Sequence, residues 1–287
     1  MSPIQSVGVV GGGLMGSGIA EVSSRAGIPV TLVEVNDDAA AAAHSRIEGS
    51  LRRAEKRGKI DASEVEAVLG RISVSSDLTN LAECDLVVEA ASENEQIKLD
   101  LFRTIGGILV KDDAILASNT SSIPIVKLGA VSGRAGRVMG VHFFNPAPVM
   151  KLVELIPSLT TSPETKGRMA RFVGDQLGKQ AIEATDRAGF VVNSLLVPYL
   201  LSAIRMYEAG YASAEDIDHG MVLGCGHPMG PLALCDLIGL DTIRAIGASM
   251  YDEFKEPLYS PPPLLDRMVE AGLMGKKSGQ GFYGYQA

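Results

Sequence analysis

Short apolar runs alternate with segments of helical periodicity over the first two thirds of the 287-residue chain. The runs have the length of buried β-strands. They occupy residues 4–10, 30–33, 71–74, 85–90, 114–117, 138–141, 151–156 and 180–184. Between several of them, apolar residues recur at spacings of three and four, which is typical of amphipathic helices. Strands that alternate with helices in this way predict an α/β domain with a mostly parallel sheet.

The pattern changes near residue 185. The rest of the chain contains long helical patterns and no further β-rich run. In residues 189–210, Asn193 precedes Pro198, which predicts a kink or a break in the helix. Residues 213–216 (SAED) resemble a capping box at the start of another helix. We therefore predict two domains, residues 1–184 around the sheet and residues 185–287 built from helices.

The first apolar run leads into a glycine-rich segment, residues 11–16 (GGGLMG). Gly11, Gly13 and Gly16 fit the pattern G-x-G-x-x-G, in which glycines let the main chain approach a pyrophosphate at a helix N-terminus. The second run ends on Glu34, which is placed to accept hydrogen bonds from an adenosine ribose. Strand, helix, strand and acid in this order predict dinucleotide binding. The Glu34 carboxylate would repel a ribose phosphate, so the pattern favours NAD over NADP.

A histidine and a carboxylate belong to two neighbouring runs, one directly after its run and the other inside it. The run at residues 138–141 ends at His142, and Glu154 lies in the next run, residues 151–156. Side chains alternate along a strand, so Glu154 shares a face with apolar residues, where a carboxylate is costly unless it is paired. His142 is the candidate partner, and a His held by a buried carboxylate is a general-base arrangement. The alternative is an ordinary hydrogen-bonded His at a strand end.

Polar residues also follow the fourth and fifth runs. Glu93 and Lys98 lie where the fourth run passes into its helix, and residues 118–122 (SNTSS) follow the fifth. Ligands bind at the carboxyl edge of open parallel sheets. The SNTSS segment has two compatible interpretations, a helix cap at Ser121 or Ser122 and a loop that contacts a substrate.

The long helical segment at residues 37–59 becomes basic toward its end. Ser50, Arg53 and Arg57 recur at spacings of three and four, so they share one helix face, with Lys56 beside them. A solvated helix face and a site for an anionic ligand, such as a nucleotide phosphate, both fit this pattern.

Composition narrows the classes of function. The net charge of −8 argues against general nucleic-acid binding. The three cysteines show no paired spacing, and no presequence or membrane-spanning run is present, so we expect a cytoplasmic protein. Cys225, His227 and Cys235 match no zinc-site spacing, so we expect no metal.

Six segments together resemble the 3-hydroxyacyl-CoA dehydrogenase family, most closely its short bacterial 3-hydroxybutyryl-CoA dehydrogenases. They are GGGLMGSGIA, ASNTSS, VHFFNPAPVMKLVEL, GFVVNSLLVPYL, HPMGPLALCDLIGLD and KKSGQGFYGY, and they extend over nearly the whole chain. The resemblance implies a Rossmann-type domain followed by an all-helical domain that forms a homodimer. It also implies NAD as cofactor and an L-3-hydroxyacyl-CoA, of short acyl chain, as substrate.

The resemblance assigns roles to individual residues. His142 looks like the catalytic base and Glu154 like its partner, while Ser121 and Asn193 match residues that contact the substrate. Ser50 and Arg57 match positions that contact coenzyme A, which favours a substrate-binding role for the whole basic face, with Arg53 and Lys56. The expected cofactor-binding residues are Gly11, Gly13, Leu14, Met15, Gly16, Glu34, Glu93, Lys98, Asn119, Asn145 and Lys277.

Two other functions share parts of this pattern. A dehydrogenase that acts on sugar acids would use the same scaffold without a basic helix. A catalytically silent nucleotide-binding relative would lack some of the active-site residues. The basic face argues against the first, and the intact set of His142, Glu154, Ser121 and Asn193 argues against the second.

Overall fold

The computed structural model describes residues 2–285. The chain divides into two compact units, one that ends at Asp186 and one that begins at Arg187. The first unit contains a single eight-stranded sheet with helices, and the part of the second that the structure describes is helical. The predicted fold class, a mostly parallel sheet followed by an all-helical region, is confirmed.

All the predicted strands are present in the sheet. They are β1 Val7–Val10, β2 Val30–Val33, β3 Ile72–Ser75, β4 Leu86–Glu89, β5 Ile115–Ser118, β6 Val138–Phe143, β7 Leu152–Pro157 and β8 Gln180–Glu183. Their spatial order is β3-β2-β1-β4-β5-β6-β7-β8, and every neighbouring pair is parallel except β6 and β7. The connection between β6 and β7 is too short for a crossover, so these two strands pair antiparallel.

Several strand ends differ from the prediction. β1 begins at Val7 rather than at residue 4, because the N–H groups of Gln5 and Ser6 donate to the Asp85 carboxylate instead of to a neighbouring strand. β6 continues to Phe143, because its pairing with β7 extends that far. His142 therefore lies inside a strand and not at its end.

In the described part of the first unit, six α-helices accompany the strands: α1 Leu14–Arg25, α2 Asp37–Lys56, α3 Ala62–Leu69, α4 Glu95–Ile108, α5 Ile125–Val131 and α6 Pro163–Arg171. Helix α2 ends earlier than predicted, just before the left-handed Gly58. Helix α3 was not predicted, although Asp61 caps it by accepting from the Glu64 N–H at 2.8 Å. Ser162 caps α6, with its Oγ accepting from the Thr165 N–H at 3.2 Å.

The core of the first unit lies around the central strands. β1, β4 and β5 are buried along their whole length. Strands buried on both faces read as continuous apolar runs, which is why they were recognisable without alternation. Polar groups that lie at the carboxyl ends of these strands are therefore held by a rigid frame.

The second unit contains α7 Val192–Glu208, α8 Ala214–Cys225, α9 Pro231–Ile238, α10 Leu240–Phe254 and α11 Pro263–Glu270. Pro198 lies inside α7 and does not break it, because buried Leu200, Leu201 and Ile204 hold the following turns in the core. The predicted cap of α8 is confirmed, with Ser213 Oγ accepting from the Asp216 N–H at 3.1 Å. Among the helices of residues 2–285, none is long and apolar enough to cross a membrane.

Candidate active site

The strand order reverses between β1 and β4. From β1 the chain continues outward to β2 and β3, then returns to the other side of β1 to form β4 and the strands beyond it. In open parallel sheets this switch point opens a crevice at the carboxyl ends of the strands, where ligands bind. The glycine-rich turn after β1 and the acid after β2 lie at this edge of the sheet.

Two of the glycines in the turn leave no room for a side chain. A Cβ on Gly16 would lie 1.7 Å from the carbonyl oxygen of Gly11. Gly11 has φ +91°, and its Cβ would lie 2.8 Å from the main chain of Ala90. Gly13 has no atom within 4 Å of its Cβ position, and the next side chain, Leu14, is 63% exposed. The turn is thus tightly packed beneath and open above, as a pyrophosphate requires.

Glu34 lies against this turn at the end of β2. Its carboxylate accepts hydrogen bonds from the N–H groups of Gly12 at 2.6 Å and of Val35 at 3.0 Å. The side chain is half-buried, so its oxygens are within reach of a ligand on the turn. Open glycine turn, helix N-terminus and carboxylate together fit the diphosphate and adenosine ribose of a dinucleotide.

His142 and Glu154 face each other across the antiparallel pair β6–β7. The strand register pairs them directly, and His142 Nδ1 lies 2.7 Å from Glu154 Oε2. Glu154 has no exposed surface and His142 is 7% exposed. A neutral imidazole that meets an ionised carboxylate donates to it from the nearer ring nitrogen and carries its lone pair on the other one. The distance and burial of this pair suit such an arrangement.

Neighbouring groups hold the end of β6 in place. Asn119 Oδ1 accepts from the Phe143 N–H at 2.9 Å, which ties the end of β5 to the strand that carries His142. The ring of Phe144 meets the His142 imidazole edge-on, with centroids 4.7 Å apart. Asn119 was expected to bind the cofactor, and in the structure it accepts from the main chain of Phe143, the residue after His142.

A buried charge cluster lies at the end of β4. Lys98 Nζ forms ion pairs with Glu89 at 2.6 Å and with Glu93 at 3.4 Å. Glu89 and Lys98 are almost completely buried. Glu93 and Lys98 were predicted as site residues from the sequence, whereas Glu89 was assigned only to a strand. The sequence did contain a signal for Glu89. It is an acid inside an otherwise apolar run, and a lysine follows nine residues later.

Glu93 extends this cluster to the serine-rich loop after β5. One of its oxygens accepts from the hydroxyl groups of Thr120 and Ser122 and from the N–H of Ser121. Neither serine caps α5, so that interpretation is wrong. The first two N–H groups of α5 instead donate to the Asp186 carboxylate, which lies 61 and 60 residues away in sequence. The loop with Ser121 thus lies at the carboxyl edge of the sheet, beside β6.

A cavity of 310 Å³ is lined by residues of α1, α2 and the loop after β6. Ser50, Arg53 and Asn145 line it, together with Glu21 and Arg46, which the sequence analysis did not single out. Burial raises the pKa of Glu21, while a hydrogen bond from Ser50 and nearby arginines oppose this shift. The cavity walls combine apolar surface with cationic and hydrogen-bonding groups.

Only part of the basic face of α2 lines this cavity. Lys56 ends α2 and Arg57 follows it, and both side chains are exposed and lie outside the lining. Arg46 extends the face in the other direction, and its guanidinium donates to the carbonyl oxygen of Gly12 in the glycine turn. The cationic residues therefore form a track along α2 that begins at the glycine turn.

Two expected site residues belong to the second unit. Asn193 is buried in the first turn of α7. Lys277 lies in the glycine-rich C-terminal segment and pairs with Asp241 of α10 at 2.6 Å. The partner of Lys277 thus belongs to the second unit as well.

Residues 6–187 match the family model of the 3-hydroxyacyl-CoA dehydrogenase NAD binding domain, and residues 189–285 match that of the C-terminal domain. The chain belongs to the 3-hydroxyacyl-CoA dehydrogenase family. It is 54% identical over 282 residues to a 3-hydroxybutyryl-CoA dehydrogenase of Mycobacterium tuberculosis, with 98% of this chain and 99% of the relative covered. Membership of this family makes it an NAD-dependent dehydrogenase, as the glycine turn and Glu34 indicate.

Two solved structures have the same fold as this chain. M. tuberculosis FadB2 superposes with a TM-score of 0.98 at 53% identity, covering 99% of this chain and 100% of that one. The (S)-3-hydroxybutyryl-CoA dehydrogenase PaaH1 of Ralstonia eutropha superposes with a TM-score of 0.93 at 44% identity, with the same coverage. The likeness extends over both units of this chain.

Proposed function

We propose that this dehydrogenase oxidises short-chain L-3-hydroxyacyl-CoA, such as 3-hydroxybutyryl-CoA, to the 3-oxoacyl-CoA and catalyses the reverse reduction. The observation that carries the proposal is the buried His142–Glu154 pair at the same sheet edge as the glycine turn. The relatives named as 3-hydroxybutyryl-CoA dehydrogenases support the short acyl chain.

In the oxidative direction, His142 Nε2 accepts the proton of the substrate hydroxyl. Bound NAD would accept the hydride that leaves the carbon bearing this hydroxyl. Glu154 holds the Nδ1 proton, which keeps the Nε2 lone pair directed at the substrate and stabilises the imidazolium as it forms. In the reductive direction the imidazolium returns the proton.

Ser121 and Asn193 are proposed to hydrogen-bond the substrate oxygen. A hydroxyl and a carboxamide can each donate to the oxygen in either oxidation state. Glu93 fixes the Ser121 main chain, so the hydroxyl is presented from an ordered loop. The role of Asn193 rests on the family resemblance.

The cavity and the basic face of α2 are proposed to bind the coenzyme A part of the substrate. Ser50 and Arg53 line the cavity, and Lys56 and Arg57 lie at the exposed end of the same helix. An elongated ligand with a neutral arm and charged phosphates suits a partly apolar cavity that leads to exposed cations. Phosphate recognition by such cations does not depend on the acyl group.

The proposal is tested by following NADH oxidation with acetoacetyl-CoA and with longer 3-oxoacyl-CoA substrates. We expect the highest kcat/KM with acetoacetyl-CoA. Turnover of sugar-acid substrates without acyl-CoA activity would replace this function by that of another dehydrogenase on the same scaffold.

Cofactor selectivity follows from Glu34. Its carboxylate occupies the side of the glycine turn where an adenosine ribose binds, and a 2′-phosphate there would meet a like charge in a confined site. We expect a higher kcat/KM with NADH than with NADPH, and a smaller ratio in Glu34→Gln. Parallel assays that show a preference for NADPH would contradict this role.

Replacement of Arg57 by Glu is expected to raise the KM for acetoacetyl-CoA with little change in kcat. The charge of Arg57 would act on the coenzyme A nucleotide, far from the reacting carbon, so ground and transition states lose the same interaction. Arg103→Glu, at an exposed position of α4, is the matched control, because it changes the net charge equally. An unchanged KM in Arg57→Glu, or a defect confined to NADH, would argue against the assignment.

We also propose that the protein is a homodimer formed through residues after Ala188. Leu200 and Ile204 of α7 are buried in the core of the second unit and are unavailable for such an interface. The unit nevertheless exposes large apolar side chains, at 75% for Leu195 and 82% for Leu223. Burying such surface against a second copy is favourable. Light scattering at micromolar concentration should give the dimer mass, and a monomer mass would reject the proposal.

A further inference from the structure

Glu89 is a buried carboxylate that the reaction described above does not use. It ends β4 and has no exposed surface. It accepts three hydrogen bonds, from Lys98 Nζ at 2.6 Å, from Ser118 Oγ at 2.6 Å and from the Ala91 N–H at 2.7 Å. Three short bonds fix the orientation of this carboxylate completely.

Two chains of contacts lead from Glu89 to the serine-rich loop, residues 120–122. In the first, Lys98 continues from Glu89 to Glu93, whose other oxygen accepts from the Ser121 N–H at 3.1 Å and from Ser122 Oγ at 2.9 Å. In the second, Ser118 donates to Glu89 and accepts from the Thr120 N–H at 3.2 Å. Both chains lie within the first unit.

The buried charges of Glu89 and Lys98 cost the folded state free energy. One buried ammonium is shared between two carboxylates, and buried ions carry a desolvation penalty that apolar residues of similar size would avoid. Removing one partner of such a pair is strongly destabilising, whereas replacing both partners by uncharged residues is often neutral. A role in ordering the loop can therefore be separated from a role in stability.

We propose that Glu89 is a positioning residue, which orders the loop of residues 120–122 through Lys98–Glu93 and through Ser118. With Lys98 held by Glu89, Glu93 keeps one oxygen on the ammonium and directs the other at the loop. Loss of Glu89 lets the ammonium follow the half-exposed Glu93, and the loop then loses its acceptor. The inference rests on the proposed function in one respect, the contact of Ser121 with the substrate.

The test combines thermal unfolding with amide hydrogen exchange on the full-length protein without ligands, for Glu89→Gln, Lys98→Met and the double variant. Each single variant should have a lowered Tm, because it unbalances a buried pair, and the double variant should recover much of it. The Ser121 amide donates to Glu93, and the amides of Ser122 and Ile123 donate to the Thr120 hydroxyl, which itself donates to Glu93. All three amides should exchange at least about tenfold faster in every variant, because Glu93 either follows the freed ammonium or loses the ammonium that orients it.

A matched control lies at the other end of β4. Lys111→Met removes the ammonium that pairs with Asp85 at 2.8 Å, just before the strand begins. It should lower Tm without affecting the exchange of the loop amides. If loop exchange in the double variant returns to normal together with Tm, Glu89 is only a structural residue and the inference is overturned.

Kinetics of the double variant separate this inference from the proposed function. With Ser121 at the substrate, the fast-exchanging loop should lower kcat/KM for acetoacetyl-CoA by about tenfold, as expected for a displaced contact group. Fast loop exchange with normal kcat/KM would leave the positioning role intact and reject the role of Ser121 in the proposed function.

Discussion

Replacement of His142 by Gln should lower kcat by about 10²–10⁴, the usual cost of losing a positioned general base. Glutamine keeps the size and polarity of the side chain but cannot accept the substrate proton near neutral pH. NADH affinity, measured by fluorescence titration, should be nearly unchanged, because Glu34 and the glycine turn are untouched. His227→Gln is the matched control, since His227 lies in the second unit and contacts Tyr199.

Glu154→Gln should lower kcat through the same imidazole. A glutamine beside Nδ1 can donate a hydrogen bond, which favours the wrong tautomer and no longer stabilises the imidazolium. The double variant should be little slower than His142→Gln alone, because the two side chains act as one unit. Fully additive losses, or a near-normal kcat in His142→Gln, would falsify the pair.

Gly16→Ala should abolish measurable NADH binding, with a loss of affinity on the order of 10² or more. The added Cβ would lie 1.7 Å from the Gly11 carbonyl oxygen, so the turn must move away from the position that receives the pyrophosphate. Displacement of a binding group by about 1 Å is enough for losses of this size. Fluorescence titration with NADH measures the effect directly.

Gly107→Ala provides the control for this substitution. Gly107 lies in α4, with no atom within 4 Å of its Cβ position. Alanine there should be neutral or stabilising by up to about 1 kcal/mol, because it favours the helix. Normal NADH affinity in Gly16→Ala would show that the turn can shift without harm.

Much of the fold was predictable because its strands are buried on both faces. Continuous apolar runs marked them, and the change of pattern near residue 185 marked the helical unit. The ends of the strands were harder to predict, because they depend on hydrogen-bond partners that are distant in sequence. The N–H groups of residues 5 and 6 donate to Asp85 and not to a neighbouring strand, so β1 begins after them. Phe143 pairs with Val153 of β7, so β6 includes it.

The candidate site divides in the same way. The contact of His142 with Glu154 was predictable, because two adjacent runs and side-chain alternation place both on one face. The roles of Glu89 and Arg46 were not, since each depends on a side chain that reaches another element. The prediction of a serine cap for α5 was wrong for the same reason. Ser121 and Ser122 fitted the local pattern, but Asp186, which is distant in sequence, accepts from the first N–H groups of the helix.

The bonds of Asp186 to α5 also bear on how the nucleotide-binding half could be produced separately. Its two carboxylate oxygens accept from the N–H groups of Ile125 and Val126 at 2.7 and 2.8 Å. A fragment cut at residue 184, the boundary predicted from the sequence, would leave the start of α5 without these acceptors. One extended by two residues would retain them and keep the helix behind the serine-rich loop anchored. The residue that closes the first unit is thus part of the minimal fragment, even though it follows the last strand.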